Sequence, residues 1–348
     1  MAEKKKRKGL SVFLKIVIAL VLILIIIFAF IFFYVKGKLN KIQKVELPKG
    51  EDLGITETVA QNLTGYRNIA IFGVDSRSDD YGTGNRSDCI IIASINNDTG
   101  AIKLISVYRD TYLQVLENGT NKLDKVTHAY SYGKAQNTLL ALNKNLDLNI
   151  KEYMTVNFDA VIATVNALGG VSINIASEEL KYINDYIDAT SQSSGVSSKH
   201  VTTAGPQTLD GVQAVAYSRI RYTAGGDYKR AERMRTVVEA MVKKAKTLSV
   251  PKLVNVANTI LPRVSTNIDK NEIIGLIPTI SKINFSQSIG WPYNTKGKTM
   301  DRWYGIPVTL ESNVVKLHKE VFGTEDYTIP SEVKEISDSI VKKTGYKE

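Results

Sequence analysis

IIIASINNDTGAIKLISV, residues 90–107, decides the architecture. Ile90 to Ile95 is an apolar run of strand length, Asn97-Asp98-Thr99-Gly100 is a turn signal, and Ile102 to Val107 is a second run. That order predicts an antiparallel hairpin. Upstream, Ile69–Val74 has the same character and supplies a first strand, with order beginning at Asn68. Downstream, helical periodicity appears around Ala135–Asn145 and Phe158–Leu168, the second stopped by Gly169-Gly170. Val171–Ile175 reads as another strand, and Thr190–Gly205 as a Ser/Thr/Gly-rich surface loop. Apolar segments follow at Leu253–Leu261 and Ile273–Ile283, then aromatic stretches at Trp291–Tyr293 and Trp303–Tyr304. Strands interleaved with helices indicate an α/β layer fold. Residues from Ser331 onward read as an exposed charged tail.

The N-terminus carries a different signal. Lys4, Lys5, Lys6, Arg7 and Lys8 precede an uncharged run, Ile16–Val35, of almost pure Ile, Val, Leu and Phe. A stretch of ~20 apolar residues matches a bilayer core, and basic residues stay on the cytoplasmic side. No small-residue cleavage site follows, so residues 1–15 are expected in the cytoplasm and 16–35 as an uncleaved anchor. Residues 36–65 read as a stalk, and residues 66–330 as an extracellular domain with the 331–348 tail. Charge supports this division. The chain carries a formal +10, but residues 1–15 hold six Lys/Arg against one Glu and residues 36–49 five Lys against one Glu. Residues 50–348 are left close to neutral, so the basicity belongs to the membrane junctions and no nucleic-acid partner is expected.

The densest chemistry lies at Leu209–Arg235, LDGVQAVAYSRIRYTAGGDYKRAERMR. Arg219, Arg221, Arg230, Arg233 and Arg235 crowd this segment. A packed core rarely takes unpaired guanidiniums, whereas each planar fork can bind phosphate bidentately. Asp210 with Gln213 forms a capping-box pattern that opens a short helix. Alternation at Tyr217, Arg219 and Arg221 predicts an extended piece pointing both arginines to one side. Gly225-Gly226 bends the chain, and Asp227 is placed to cap a long helix ending near Lys243, Lys244 and Lys246. The cluster favours a ligand with several anionic oxygens, most clearly for Arg219, Arg221 and Arg230.

Polar groups also gather at strand ends. Asp75 follows the first strand, Asp88 precedes the second, and Arg109 with Asp110 follows the third. If strands two and three pair as a hairpin, these groups share one sheet edge. Two carboxylates there, with phosphate oxygens and water, suit Mg²⁺. Other chemistries lack their signatures. Cys89 is the single cysteine and lies in an apolar strand pattern, which suits core better than nucleophile. His128, His200 and His318 have no metal-ligand spacing, and GxSxG is absent. Gly297-Lys298-Thr299 ends like a P-loop, but Pro292 occupies the required earlier glycine position.

These residues resemble the LytR-CpsA-Psr family of cell-wall glycopolymer ligases. The resemblance rests on GVDSR at Gly73–Arg77, RSDCIII at Arg86–Ile92, SVYRDT at Ser106–Thr111, NALGGV at Asn166–Val171, and the Leu209–Arg235 stretch, all in order. It implies a central mixed sheet flanked by helices, behind a single N-terminal transmembrane helix, with an apolar pocket for a polyprenyl chain. It further implies transfer of a glycopolymer from a polyprenyl-diphosphate carrier to a peptidoglycan acceptor through a phosphodiester. Carried over by position, Asp75 and Asp88 would hold Mg²⁺, and Arg109, Arg219, Arg221 and Arg230 would hold the diphosphate. Asp227 would orient that clamp, and either Asp88 or Asp227 would be the general base. The chain departs from the family pattern at Tyr108 (often proline), Lys134 (glycine), and Met234 and Arg235 (glutamine). Two rival readings use the same clamp: a polyprenyl-diphosphate hydrolase, and a non-catalytic binder of lipid diphosphates or wall polyanions.

Overall fold

Strand β1 (Gln43–Lys44) is followed by helix α1 (Glu57–Asn62), β2 (Tyr66–Val74), β3 (Ser87–Asn96) and β4 (Ala101–Val107) in a computed structural model. The structure describes residues 43–44, 53–76, 81–269, 272–273 and 276–347. The basic block, the apolar run 16–35 and most of the 36–65 stalk lie outside them. No described helix is long and apolar enough to cross a membrane. The described residues belong to one compact unit, Ile42–Glu348.

A small hairpin, β5 (Tyr112–Glu117) and β6 (Thr120–Lys125), leads into α2 (Val126–Leu146). Then come β7 (Glu152–Val156), α3 (Phe158–Leu168), β8 (Val171–Ile175), α4 (Ser177–Ser194) and β9 (Gly205–Leu209). Three helices follow, α5 (Gly211–Arg219), α6 (Gly226–Ala245) and α7 (Val250–Ile260), before β10 (Ser265–Thr266) and β11 (Asn284–Trp291). The chain closes with the hairpin β12 (Thr295–Thr299) and β13 (Trp303–Pro307), then α8 (Leu310–Leu317) and α9 (Ser331–Thr344). Among the described residues the central sheet has the order β1-β10-β7-β2-β3-β4-β11. It is mixed: β2-β3 and β3-β4 are antiparallel, while β7-β2 and β4-β11 are parallel.

Period-two alternation explains the layers. On β2, Ala70, Phe72 and Val74 are buried against Val126, Tyr130, Leu139 and Leu142 of α2, with Val314 of α8 and Ile336 of α9 in the same core. The opposite face carries Ile71, Ile91, Ala93 and Leu104, packed against Val238 of α6. Helices α3 to α7 enclose their own apolar cluster around Val165, Ile183, Val215 and Val237. The outcome is an α-β-α sandwich, as the interleaved pattern implied.

Several boundaries differ from the sequence reading. Packing begins before residue 66, since Leu53, Ile55, Val59 and Leu63 are buried in the core. The tail is not exposed. Val333, Ile336 and Ile340 recur at helical spacing, so α9 buries one apolar stripe while its charges face outward. The Thr190–Gly205 loop is shorter than expected, because the stripe Ile183, Ile187, Thr190 carries α4 to Ser194 and Gly195 ends it at φ 70°. Tyr217–Arg219 is helical rather than extended, and Arg221 lies in the loop that follows. The Asp210–Gln213 box starts α5 with reciprocal 2.9 Å bonds, and the buried Ala214–Ala216 carry the helix through Arg219. Helix α6 is capped by Gly225 at φ 88°, which leaves Asp227 inside its first turn.

Candidate active site at the strand edge

Register brings the predicted groups together. Val74 pairs with Ser87 and Ile91 with Ser106, so Asp75, Asp88 and Arg109 emerge at the same edge of the sheet. The loop after β4 is fixed by its backbone: Thr127 N donates to Arg109 O (3.0 Å) and Tyr108 N to Trp291 O (3.0 Å). Helix α6 then lays its N-terminal turn over this edge.

Arg109 is the hub. Its Nη1 donates to Asp88 Oδ1 (2.7 Å), its Nε to Asp227 Oδ2 (3.0 Å), and Asp110 lies 3.3 Å away. Burial works against this charge, but Asp88, Asp110 and Asp227 more than offset it and raise the guanidinium pKa. Arg230 Nη2 shares Asp227 Oδ2 at 3.1 Å, and Arg221 approaches Asp227 at 3.6 Å and Asp88 at 3.9 Å. Arg230 is 3 % exposed and its Nε has no hydrogen-bond partner, so this residue keeps a buried, unsatisfied donor. Three guanidiniums thus converge on two carboxylates.

Arg219 takes a separate position. Its Nη1 donates to Thr190 Oγ1 (2.7 Å), and its guanidinium lies 5.2 Å from the Phe158 ring centre and 6.0 Å from that of Tyr186. Burial lowers its pKa, and the neighbouring Arg221 adds to that. Asp75 is exposed and accepts from Arg86 N at 3.0 Å. It flanks the Val74–Ser87 pair from one side and Asp88 from the other.

Arg233 and Arg235 are neither surface groups nor members of the clamp. Arg233, 1 % exposed, donates to Glu179 Oε1 (2.7 Å), Ile220 O (3.0 Å) and Thr223 Oγ1 (2.6 Å). It ties α6 to α4 and to the loop carrying Arg221. Arg235 is 8 % exposed and donates from Nε to Ser288 Oγ (3.0 Å), while Nη1 has no partner. Sequence reasoning missed Ser106, which lines the small pocket under Arg230 and Asp227 together with Met234 and Cys89. It assigned no role to Lys125, which holds Asp110 at 2.7 Å. Neither could be read locally, because their partners come from other elements.

The chemistry of the site follows from charge. Asp227 Oδ2 is shared by two arginines, whereas Oδ1 has only Arg221 at 3.6 Å. Burial raises the Asp227 pKa above the ordinary carboxylate value despite Arg109. The donor set at Asp75 and Asp88 fits Mg²⁺, a hard cation that takes one or two carboxylates and completes its shell with phosphate oxygens and water. Among the described residues no group of three or more acidic, His or Cys side chains stands ready to hold a metal alone.

The departures now have structural settings. Lys134 breaks α2 with φ 57° and ψ −150°, a conformation that favours glycine. Tyr108 packs edge-to-face on Tyr228 with ring centres 4.5 Å apart and lies against Gly290.

Comparison with known proteins agrees with this reading. The LytR_cpsA_psr family model matches residues 30–307. The polyisoprenyl-teichoic acid–peptidoglycan teichoic acid transferase TagT of Bacillus subtilis is 28 % identical over 305 residues, 84 % of this chain and 90 % of that protein. The corresponding TagU of Enterococcus faecalis is 34 % identical over 182 residues, 52 % of this chain and 54 % of the relative, so that match spans about half its length. The crystal structure of B. subtilis TagT superposes with a TM-score of 0.56 at 23 % identity, covering 74 % of this chain and 92 % of that one. A family protein with bound octaprenyl pyrophosphate lipid, YwtF (TagT), gives 0.54 at 23 % identity over 80 % and 96 %. At that identity the structures speak to the fold. The family match is of another kind: it runs from before β1 to the end of β13 and contains every residue that meets at the strand edge. This chain belongs to the LytR-CpsA-Psr family.

Proposed function

We propose that this protein transfers a glycopolymer from a polyprenyl-diphosphate carrier to peptidoglycan, at the outer face of the membrane and with Mg²⁺. The observation that carries the reading is the clamp, in which Arg109, Arg221 and Arg230 meet Asp88 and Asp227 within 4.0 Å. Phosphoryl transfer is promoted by positioning and by neutralising charge on non-bridging oxygens. The relatives' names support the donor and acceptor classes, and one solved relative holds octaprenyl pyrophosphate. Behind the clamp, Ile69, Ile71, Cys89 and Ile91 share the sheet face toward α6, and Ile69 and Ile71 are only partly covered. That face suits an isoprenoid tail.

Each residue then has a task. Arg109, Arg221 and Arg230 bind diphosphate oxygens, and Arg219 extends the positive surface toward α4. Asp75 and Asp88 would hold Mg²⁺, which supplies further neutralisation of diphosphate oxygens when bound. Asp227 is the better base of the two candidates, because Asp88 would be engaged with Mg²⁺ while Asp227 keeps Oδ1 with only Arg221 at 3.6 Å. Asp227 takes the proton of the acceptor hydroxyl as its oxygen bonds to phosphorus. The bridging P–O bond breaks, and polyprenyl phosphate leaves.

The test is release of polyprenyl phosphate, measured with and without a glycan acceptor. Release that requires the acceptor supports transfer. Equal release in water alone identifies a hydrolase, and tight binding without release identifies a binder. Asp88→Asn, nearly isosteric, should abolish release and weaken Mg²⁺ binding in a folded protein. Unchanged Mg²⁺-dependent turnover would reject the metal assignment.

A further inference from the structure

Asp227 borders two clefts. One is the pocket under the clamp, and the other lies between Tyr108, Asp110, Tyr228, Thr295, Trp303 and Gly305. Nothing in the handling of the donor diphosphate uses the second. Its wall is the β12–β13 hairpin, where Gly297 and Gly305 pair directly across the strands. The Trp303 indole lies over these glycines. A Cβ at 297 would come within 2.9 Å of Trp303 Nε1, and one at 305 would stand 3.7 Å from Cη2. The glycine pair lets the ring rest on backbone with its remaining surface open. Trp303 is 41 % exposed, whereas the other tryptophan, Trp291, is 0 % exposed. Gly305 N donates to Asp110 O at 3.0 Å and Gly305 bridges Thr111, which fixes the hairpin to the loop carrying Arg109.

An exposed indole on a rigid base matches a pyranose laid flat on it, and the narrow cleft beside the ring admits only a substituent of that sugar. The sugar ring has an apolar C–H face for the aromatic surface and hydroxyls around its rim for the polar groups. An acyl chain would use the ring but bring apolar groups against the carboxylates of Asp110 and Asp227, which border the cleft. A polyanion is also a poor occupant, since the acidic and basic residues lining the cleft are Asp110 and Asp227 alone. The location agrees, because Asp227 is shared by both linings, so a hydroxyl held at this cleft meets the base named above.

We propose that this cleft is the acceptor subsite, which stacks a neutral N-acetylated hexosamine of a glycan strand on Trp303 and delivers a neighbouring hydroxyl to Asp227. The proposal rests on the transferase reading and supplies its missing half. Tyr108, where the family often has proline, becomes part of the cleft through its edge-to-face contact with Tyr228.

The experiment uses the full chain in detergent and a soluble, undecorated peptidoglycan tetrasaccharide as probe. Trp291 is buried, so iodide quenching of tryptophan fluorescence reports Trp303. The tetrasaccharide should shield Trp303 from iodide without any lipid donor. In the transfer reaction, Trp303→Ala should raise the acceptor KM at least about fivefold, with kcat and the donor KM unchanged, and Trp303→Phe should restore most of the loss. Unaltered quenching with the tetrasaccharide overturns the subsite even if the Ala variant fails to fold. Shielding by anionic phospholipid vesicles alone overturns it in favour of a membrane contact. Transfer by Trp303→Ala at wild-type acceptor KM removes the subsite and leaves the transferase standing. Shielding by the tetrasaccharide in a protein that never releases polyprenyl phosphate keeps the saccharide site and sinks the transferase.

Discussion

Neighbouring arginines on one helix have different fates, and the difference is set by partners far away in sequence. Arg230 turns to Asp227 in its own first turn, whereas Arg233 reaches Glu179 on α4. A local reading recognises the first because Asp227 is three residues away. It misses the second because the two chain segments meet only in the fold. Arg233→Ala would leave Glu179, itself 4 % exposed, as an uncompensated buried charge. Breaking a buried pair this way costs ~3–5 kcal/mol, so urea unfolding should show a loss of that order, and a loss below ~1 kcal/mol would contradict a structural role. Arg221 is different: it is exposed and free to meet a ligand. Arg221→Lys should leave stability unchanged but weaken lipid-diphosphate binding by about tenfold or more, since an ammonium cannot reproduce the bidentate fork. Cys89 gives the pH prediction. Burial, then the nearby Asp88, pushes its thiol up to about 12. The unfolded thiol ionises near ~8.5, so between there and about 12 the folded chain keeps a proton that the unfolded chain has lost. Stability should fall as pH rises through this window, and the fall should be shallower in Cys89→Ala. Iodoacetamide at pH 8 should label Cys89 rapidly only after denaturation.

At the scale of elements, the strands were more legible than the helix ends. Ile90–Val107 reads as a hairpin because two apolar runs flank one turn, and the turn fixes the register that gathers Asp75, Asp88 and Arg109. Helix α9 was illegible for the opposite reason: its three buried apolar residues are diluted by charges, and the face they cover is created by α8. Ile336→Ala should therefore cost ~2–5 kcal/mol, as for other buried aliphatics, and an exposed tail would show no change. Alternation misled at Tyr217–Arg221, where Arg219 ends a helix and Arg221 lies in the loop beyond it. What positions Arg219 is the seating of α5, and Gly211 makes that seating possible. A Cβ there would meet Ile162 Cα at 2.7 Å and Ile162 C at 2.8 Å, both backbone atoms of α3. Gly211→Ala must push α5 away, at ~1–3 kcal/mol, and should reduce diphosphate binding although residue 211 touches no ligand. Wild-type affinity in that variant would show that α5 is not held by this contact.

For the whole molecule, the decisive quantity is where the charge lies. The formal +10 is concentrated on either side of the uncharged run Ile16–Val35, while residues 50–348 are nearly neutral. A basic N-terminal flank holds its side of a span in the cytoplasm, and anionic headgroups attract the basic residues on both sides. We therefore expect a single uncleaved span with residues 36–348 outside, where a lipid-linked donor in the membrane and a wall acceptor can both reach the clamp. The arrangement also explains why a protein with one cysteine suffices: a domain of this size buries a core large enough to stand without a disulfide. Protease added to intact spheroplasts should degrade the α-β-α domain. The same protease should leave a small membrane-embedded fragment that starts at the native N-terminus, which separates an uncleaved anchor from a removed signal. Full protection of the domain in intact spheroplasts, with degradation only after lysis, would place it on the cytoplasmic side and remove both the peptidoglycan acceptor and the assignment of Asp227 as base toward a wall hydroxyl.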